Sequence, residues 1–266
     1  MRDTIAVYSL FRDSEPHLAR TLAQFEDLES LDYSFEYYFY ENDSKDSTVP
    51  LLKQWLEKRT HKFLHENLDA ESFGSVQNID RMQMLCEFRN KCKNLLKNSS
   101  SKYTLMVDSD VNFNKPNLES HLELIERLED AVLVTPNVRQ NIPDYAFEMT
   151  SDSYYDVYPL LDKSNNRGLY WTDCPFKNGL DRMNWSLGNA IKCNSAFGGF
   201  ALSYTDIIKQ VKWSTDGECD HVNFCKELSA FGSIYVDPKN KVHVEVDLSK
   251  HNLNRFKNIV KQQLNA

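Results

Sequence analysis

Short apolar runs alternate with amphipathic stretches through the first half of the chain. Apolar runs of about 4 to 8 residues between turn residues predict buried strands, and apolar positions three or four residues apart predict helices. The predicted strands cover residues 4–10, 33–40, 62–65 and 103–107, and the predicted helices cover residues 18–28, 51–56 and 78–97. This alternation is typical of βαβ units built on a mostly parallel sheet.

The pattern changes in the second half. A helix at 118–128 and a strand at 131–135 continue the alternation, but residues 141–194 are rich in Asp, Asn, Tyr and Pro and have no clear period. Such segments are typical of surface loops that carry binding residues. Regular patterns return at 196–202, in a helix at 220–231 and in strands at 233–236 and 242–246. We therefore expect one domain with two halves, residues 1–138 and 139–266.

Composition and charge narrow the function classes. A chain of 266 residues with 41% hydrophobic residues can bury a core without metal or disulfide staples. Its formal net charge of -8 repels phosphate backbones, which argues against nucleic acid as a partner. Its eight glycines form neither a GxGxxG nor a GxxxxGK[ST] motif, so a nucleotide must be held in another way.

Targeting signals and cysteine usage predict a compartment. The first residues contain no apolar stretch of signal-peptide length, and no window approaches the roughly 18 apolar residues of a membrane span. The six cysteines include no CxxC pair and are too sparse for a disulfide scaffold, so we expect reduced thiols. These features predict a cytoplasmic protein without a membrane span, and they contain no signal for the oligomeric state.

Asp108-Ser109-Asp110 is the most informative motif, because an apolar strand delivers two carboxylates into one loop. Residues i and i+2 of an extended chain point to the same side, so both carboxylates can face one ligand. Neighbouring anions raise each other's pKa unless a cation lies between them. Oxygen ligands favour Mg²⁺ or Mn²⁺. The alternative is a strand-ending Asp cap beside a solvent-facing neighbour.

With this motif the chain resembles the GT-A glycosyltransferases, which bind a nucleotide sugar and a divalent metal through a DxD motif. The matching stretches are residues 6–13, 40–44, 81, 89–90 and 106–110 and, more weakly, 196–199 and 219–225. Within that group it is similar to soluble glycosyltransferases of large algal DNA viruses and, more distantly, to fungal capsule mannosyltransferases. The resemblance implies an α/β, Rossmann-like mixed central sheet flanked by helices, with a nucleotide-sugar-binding first half and an acceptor-binding, catalytic second half.

Candidate nucleotide contacts follow the first two strands. Ser9, Leu10 and Arg12 come at the carboxyl end of the first strand, where ligands gather in open α/β sheets. The resemblance implies that they bind the base and ribose, with Glu41 or Asp43 accepting hydrogen bonds. The alternative for Asp43 is a cap on the following helix.

Two arginines lie on the helix that precedes the motif. Arg81 and Arg89 are eight residues apart, about 80° around the helix axis, so both can face one side. They could bind a diphosphate or balance the two carboxylates. Surface salt bridges to Glu87 or Asp80 are the alternative. The resemblance also implies a donor contact at Ser109.

A third metal ligand is expected near the C-terminus. His243 alternates with apolar neighbours on a predicted strand and presents its side chain to one face. The resemblance implies that it completes a metal site with Asp108 and Asp110, in preference to His221 and His251. A hydrogen-bonded structural histidine is the alternative.

An inverting transfer needs a carboxylate to take the acceptor proton. The resemblance to the acidic motif at the start of the acceptor-side helix implies Asp220, with Glu218 as its competitor. The alternative is a structural role at the start of the helix, because Thr215-x-x-Glu218 fits a capping box and acidic residues favour helix N-termini.

Paired glycines indicate a close approach of the backbone to another group. Gly198 and Gly199 lie between Phe197 and Phe200. The resemblance implies that Phe197 and the two glycines line the junction of sugar and acceptor, and Trp171 could stack on a sugar face. Aromatic residues in such loops also form small satellite cores.

These features predict a glycosyltransferase that depends on Mn²⁺ or Mg²⁺ and moves a sugar from a nucleotide sugar, a UDP-sugar foremost, to a glycan or glycoprotein acceptor with inversion. The alternatives are a retaining GT-A enzyme, a nucleotidyltransferase or phosphoesterase, and a nucleotide- or glycan-binding module without turnover. No local pattern names the donor sugar, the nucleobase or the acceptor.

Overall fold

A computed structural model describes residues 2–73, 78–140, 152–170, 172–216 and 219–244. The strands within these residues are β1 Thr4–Phe11, β2 Ser34–Asn42, β3 His61–Glu66, β4 Tyr103–Asp108, β5 Val111–Asn112, β6 Ala131–Gln140, β7 Ser153–Tyr154, β8 Ile191–Cys193, β9 Phe200–Tyr204 and β10 Ser233–Val244. They form one sheet in the order β3-β2-β1-β4-β9-β6-β10-β5, with β7 paired to β6 and β8 paired to β10.

The helices follow the strands along the chain. They are α1 Glu15–Leu28, α2 Thr48–Leu56, α3 Ile79–Leu95, α4 Lys115–Arg127, α5 Gly179–Leu187, α6 Thr205–Gln210 and α7 Asp220–Leu228. Each strand and helix predicted for residues 1–138 is present. The predicted mixed α/β sheet flanked by helices is therefore confirmed.

The first four strands of the sheet form a parallel block. β1 pairs in parallel with β2 on one side and with β4 on the other, and β2 pairs in parallel with β3. Because parallel strands end at one edge, the residues that follow β1, β2 and β4 meet at the same carboxyl edge. Helix α3 packs against β1 and β2 and brings its buried face beneath that edge.

The two predicted halves of the chain interleave in the sheet. β9 pairs antiparallel with both β4 and β6, which places a strand of the second half between two strands of the first. The predicted boundary at residue 138 lies inside β6. β6 continues to Gln140 because all ten of its residues are buried.

Two predictions for the second half need correction. Residues 179–187 form α5 within the segment predicted to be irregular. Its apolar residues Leu180, Met183 and Leu187 recur at helical spacing but are exposed, while Trp185 is buried. The strands predicted at 233–236 and 242–246 form one strand, β10, whose register against β6 shifts between Asp237 and Lys241. Residues 245 and 246 lie outside the described part of the chain.

All six cysteines are buried and unpaired. None of the helices in the described ranges has the length and apolar character needed to cross a membrane.

Candidate functional site

The carboxyl edge of the parallel block gathers several predicted site residues. Leu10 of β1 pairs with Asp108 of β4, and the next residue of β1 pairs with Glu41 of β2. β4 ends at Asp108, and Ser109 and Asp110 form a turn before β5 begins. The extended geometry predicted for this motif is thus replaced by a two-residue turn, and all three side chains are partly buried.

Gly199 lies directly against Asp108. Its carbonyl accepts a hydrogen bond from the Asp108 amide at 2.9 Å, and its φ is +64°. A Cβ on this glycine would lie 3.4 Å from Asp108 Oδ2 and 2.5 Å from a Val111 methyl group. The missing side chain therefore lets the backbone approach Asp108 and Val111 closely.

The residues around the 108–110 turn fit a divalent cation in their chemistry. His243 of β10 pairs with Asn112 of β5, two residues beyond Asp110. The backbone of His243 is thereby placed one strand away from the segment that follows the two carboxylates. Two carboxylates and an imidazole are ligands that Mn²⁺ accepts. Asp108, with 37% of its side chain exposed, remains accessible to such an ion.

Arg89 is the buried centre of the site. Its Nε donates to Asp220 Oδ2 at 3.2 Å, and its Nη1 lies 3.6 Å from Asp108 Oδ1. The guanidinium also lies over Trp213, 4.7 Å from the ring centroid. Burial lowers the pKa of Arg89, but Asp108 and Asp220 together raise it by more, so the pKa lies above its ordinary value. Arg89 therefore balances the carboxylates, and the surface salt bridge to Glu87 is not formed.

Arg81 lies in the first turn of α3 and is partly buried. Its amide donates a hydrogen bond to the side chain of Asn78, the N-cap residue of α3. Burial lowers the pKa of Arg81, while Asp220 and Asp108 act in the opposite direction. Arg81 thus adds positive charge near the carboxylates.

Asp220 opens α7 and is almost completely enclosed. Its Oδ2 is held by Arg89, and its Oδ1 lies 3.3 Å from His221 Nδ1 and 3.6 Å from Cys219 Sγ. Burial raises the pKa of Asp220, but His221, Arg89 and Arg81 lower it well below its ordinary range. Asp220 is therefore a stable anion at neutral pH.

His221 is the cationic partner of Asp220. Burial lowers its pKa, but Asp220 raises it more strongly, to about 10. Its ring lies 4.2 Å from that of Phe197, and its buried Nε2 has no hydrogen-bond partner among the described residues. One ligand atom each of Cys219, Asp220 and His221 lies within 4.8 Å of the others, but Arg89 on Asp220 would repel a cation there.

Asp156 is a site residue that the sequence analysis missed. Its Oδ2 accepts a hydrogen bond from the Gly198 amide at 2.7 Å. Burial raises the pKa of Asp156 to about 6, with Asp108 and Asp220 adding to the effect and His221 opposing it. Asp156 lies in a segment without hydrophobic periodicity, so nothing in the sequence distinguishes it from the other Asp residues there.

Five residues make up the ionised part of the site, and we call them the charge centre. They are Arg89, Asp108, Asp156, Asp220 and His221.

The predicted nucleotide contacts on β1 and β2 are mostly occupied by the protein itself. Glu41 is fully buried and accepts from the Ser44 amide at 2.9 Å and from His65 Nδ1 at 2.5 Å. Ser9 is also fully buried, and its hydroxyl donates to Val107 O, so its side chain is not available to a ligand.

Asp43 and Arg12 hold one loop. Asp43 has a φ of +58° and accepts from the amides of residues 68, 69 and 70 at 2.6 to 3.2 Å, instead of capping α2. Arg12 donates to the carbonyls of Ala70 and Glu71 at 2.7 and 3.1 Å. We call Arg12, Glu41, Asp43 and the backbone of residues 68–71 the loop cluster. This cluster forms one wall of the carboxyl edge.

Of the remaining predicted site residues, some lie at the carboxyl edge of the sheet and some lie in the core. Leu10 and Ser109 are partly exposed at the edge, and the Ser109 carbonyl accepts from Thr21 at 2.7 Å. Phe197 is 1% exposed and packs against the ring of His221, so it lies in the core beside the site. Trp171 and Glu218 lie outside the described residues.

Comparisons with known proteins identify the fold. No protein-family model and no curated protein matches the chain. Among the solved structures similar to it, S. aureus TarS 1-349 is 16% identical over 92% of this chain and 60% of that chain, with a TM-score of 0.54. GalNAc-T7 with UDP, GalNAc and Mn²⁺ is 12% identical over 93% of this chain and 45% of that chain, with a TM-score of 0.61. The mannosyltransferase PcManGT from Pyrobaculum calidifontis, in complex with GDP-Man and Mn²⁺, is 11% identical over 94% of this chain and 59% of that chain, with a TM-score of 0.57.

These similarities concern the fold and cover only part of each of the three proteins. The chain spans less than two thirds of the length of each of these proteins, and sequence identity is below 17% in each case. They establish a shared fold and nothing about individual site residues. The fold of this chain is that of GT-A glycosyltransferases.

Proposed function

We propose that this protein is a metal-dependent glycosyltransferase that uses a nucleotide sugar. The observation that carries the proposal is the position of Asp108. It ends β4 at the carboxyl edge of a GT-A sheet, next to a bare glycine and within 3.6 Å of a buried arginine. The structural neighbours support the ligand class, since one holds UDP with Mn²⁺ and another holds GDP-Man with Mn²⁺.

The donor would bind at the carboxyl edge between the loop cluster and the 108–110 turn. Asp108, Asp110 and His243 would hold Mn²⁺ or Mg²⁺, which when bound offsets the negative charge of the diphosphate. Arg81, partly exposed near the same carboxylates, would add a positive charge on the phosphate side. A UDP-sugar is our first candidate donor.

Transfer forms a bond from the acceptor oxygen to the anomeric carbon as the bond to the diphosphate breaks. Positive charges placed where the leaving diphosphate gains negative charge stabilise this transition state. Direct displacement inverts the anomeric centre and needs a carboxylate to accept the acceptor proton. Besides Asp108, the charge centre holds the carboxylates of Asp220 and Asp156, and the partly exposed Asp156 could take this role, which supports an inverting reaction over a retaining one.

A screen of nucleotide sugars with Mn²⁺ and with water as the acceptor tests the proposal. Release of nucleoside diphosphate is expected from at least one donor. Release of pyrophosphate or phosphate would instead indicate nucleotidyl transfer or phosphoester hydrolysis. Tight binding without release would indicate a binding module. The anomeric configuration of the released sugar, read by NMR, separates inversion from retention.

Asp110→Ala provides the matching variant. It should remove Mn²⁺-dependent donor binding in calorimetry and reduce turnover by about 10²-fold or more, because the cation would lose one of its carboxylates. Asp32→Ala is the control, since Asp32 lies before β2 at the opposite edge and 84% of its side chain is exposed. If Asp110→Ala binds the donor as the wild type does, the metal assignment is wrong.

A further inference from the structure

Both oxygens of Asp220 are engaged by neighbouring side chains, and the carboxylate is almost completely enclosed. One oxygen is 3.2 Å from Arg89 Nε, and the other lies 3.3 Å from His221 Nδ1. Only 6% of its side chain is exposed. A general base must reach the proton it removes with an oxygen that is available for that hydrogen bond. An acceptor hydroxyl would have to reach this enclosed carboxylate and compete with Arg89 and His221 for its oxygens, and displacing either partner would leave a buried ion unpaired.

Asp156 has the opposite arrangement. Its Oδ2 is fixed by the Gly198 amide at 2.7 Å, while its Oδ1 accepts no hydrogen bond from the described residues. The side chain is partly exposed. One oxygen thus orients the carboxylate, and the other remains available to a hydroxyl group.

The two glycines connect Asp156 to the proposed donor site. Gly198 donates to Asp156, and its neighbour Gly199 lies against Asp108. Both glycines have positive φ, +71° and +64°, and a Cβ on Gly198 would lie 3.0 Å from the Pro136 ring. This turn holds one carboxylate on the donor side and another on the acceptor side, one residue apart along the backbone.

On the basis of the proposed function, we propose that Asp156 is the general base of the transfer and that Asp220 is a positioning residue that holds Arg89 and His221. In the reaction, Asp156 Oδ1 accepts the proton of the acceptor hydroxyl. The acceptor oxygen forms its bond to the anomeric carbon, and the nucleoside diphosphate leaves with the electron pair of the broken bond. The proton on Asp156 then passes to solvent.

Proton affinities agree with this division of roles. Burial raises the pKa of Asp156 to about 6, near a working pH, whereas the pKa of Asp220 lies well below its ordinary range. The charged groups that act on Asp156 are His221 on α7, Asp108 on β4 and Asp220 on α7. A base is most effective when its pKa is close to the operating pH, because it is then both ionised and able to hold a proton.

The test uses the full chain, Mn²⁺, the donor identified in the nucleotide-sugar screen and water as the acceptor. Asp156→Asn keeps an oxygen that can accept from Gly198, so donor binding in calorimetry should match that of the wild type. Its kcat should fall by about 10²-fold or more, and the acid limb of the pH profile near pH 6 should disappear. Asp156→Glu, which keeps a carboxylate, should retain more activity than Asp156→Asn.

Added formate distinguishes a variant that has lost its general base from one that has lost a structural contact. It should restore part of the activity of Asp156→Ala by acting as an external base, and it should not restore Asp220→Ala, whose defect is misplacement of Arg89 and His221. If Asp156→Asn stays within ten-fold of wild-type kcat and keeps the acid limb, the assignment of Asp156 is overturned while the proposed function stands. If the wild type releases no nucleoside diphosphate from any donor, the proposed function is wrong and the base assignment falls with it.

Discussion

The loop cluster and the charge centre both concentrate charged side chains at the same edge of the sheet, but they use them differently. In the loop cluster, Asp43 and Arg12 bind backbone amides and carbonyls of residues 68–71. In the charge centre, ion pairs join elements that are far apart in the chain, such as Arg89 and Asp220.

The two regions also differ in what they leave open. The Asp43 carboxylate is saturated by four internal hydrogen bonds. The charge centre keeps an exposed face on Asp108 and a buried His221 Nε2 without a partner among the described residues. Charge that is saturated by backbone groups fixes a loop, whereas charge that is left partly open is available for chemistry.

Arg89→Met should give the largest effect, because it leaves Asp108 and Asp220 without their shared cation inside the protein. Removing one partner of a buried pair costs about 3–5 kcal/mol. Urea unfolding should show this loss, and turnover should fall with it. Lys192→Met is the control, since its pair with Asp130 is exposed on both sides and should cost no more than about 1 kcal/mol. Equal losses in the two variants would erase the distinction between the charge centre and an ordinary surface pair.

Asp220→Asn should have the next largest effect, on the pKa of His221. With the carboxylate removed, burial and Arg89 still lower that pKa, and of the groups that raise it the smaller effect of the Cys219 hydrogen bond remains. NMR titration should find it fall from about 10 to below the ordinary value of 6.5. The raised pKa in the wild type stabilises the fold fully below about pH 6.5, and this contribution is lost as the pH rises through about 10. A His221 that still titrates near pH 10 in the variant would show that Asp220 is not its main partner.

Asp43→Ala should have the smallest effect, confined to the loop cluster. The free energy of unfolding should fall by about 1–2 kcal/mol, as expected for loss of charge-assisted hydrogen bonds at a partly exposed site. Hydrogen exchange should accelerate at Leu68, Asp69 and Ala70 and stay unchanged in α3.

The pH dependence gives a second measure of this loop. Burial raises the pKa of Asp43, but the hydrogen bonds from Asn42 and the three amides lower it by more, so the pKa lies below its ordinary value of 3.8. Its contribution to stability is therefore present above about pH 4 and is lost as the pH falls through the lower folded value. Slow exchange at these three amides in Asp43→Ala would show that another group holds the loop.

The sequence predicted the parallel block well, because buried strands and amphipathic helices carry their periods in the apolar residues themselves. It failed where burial and polarity disagree. On α3, Leu85 is only partly buried whereas Arg89 is buried, because ion pairs satisfy its charge. On α5, Leu180, Met183 and Leu187 keep a helical spacing, but their side chains are exposed instead of buried.

The site was predictable only in part for a related reason. Asp108 and the glycine pair stand out in the sequence because strand ends and paired glycines have local signatures. Asp156 has none, since its role depends on a hydrogen bond to a residue 42 positions away. Likewise, whether Asp220 is free or doubly bound depends on Arg89, 131 positions away.

The place of β9 in the sheet has a consequence for folding. β9 fills the gap between β4 and β6, and its pairing joins Met106 to Ala201. Contacts between such distant residues form slowly, because a long loop must close first. Until β9 docks, the edge of β4 is unpaired and open to association with other chains. The first half therefore has neither a complete site nor a protected sheet edge until the second half has inserted its strand.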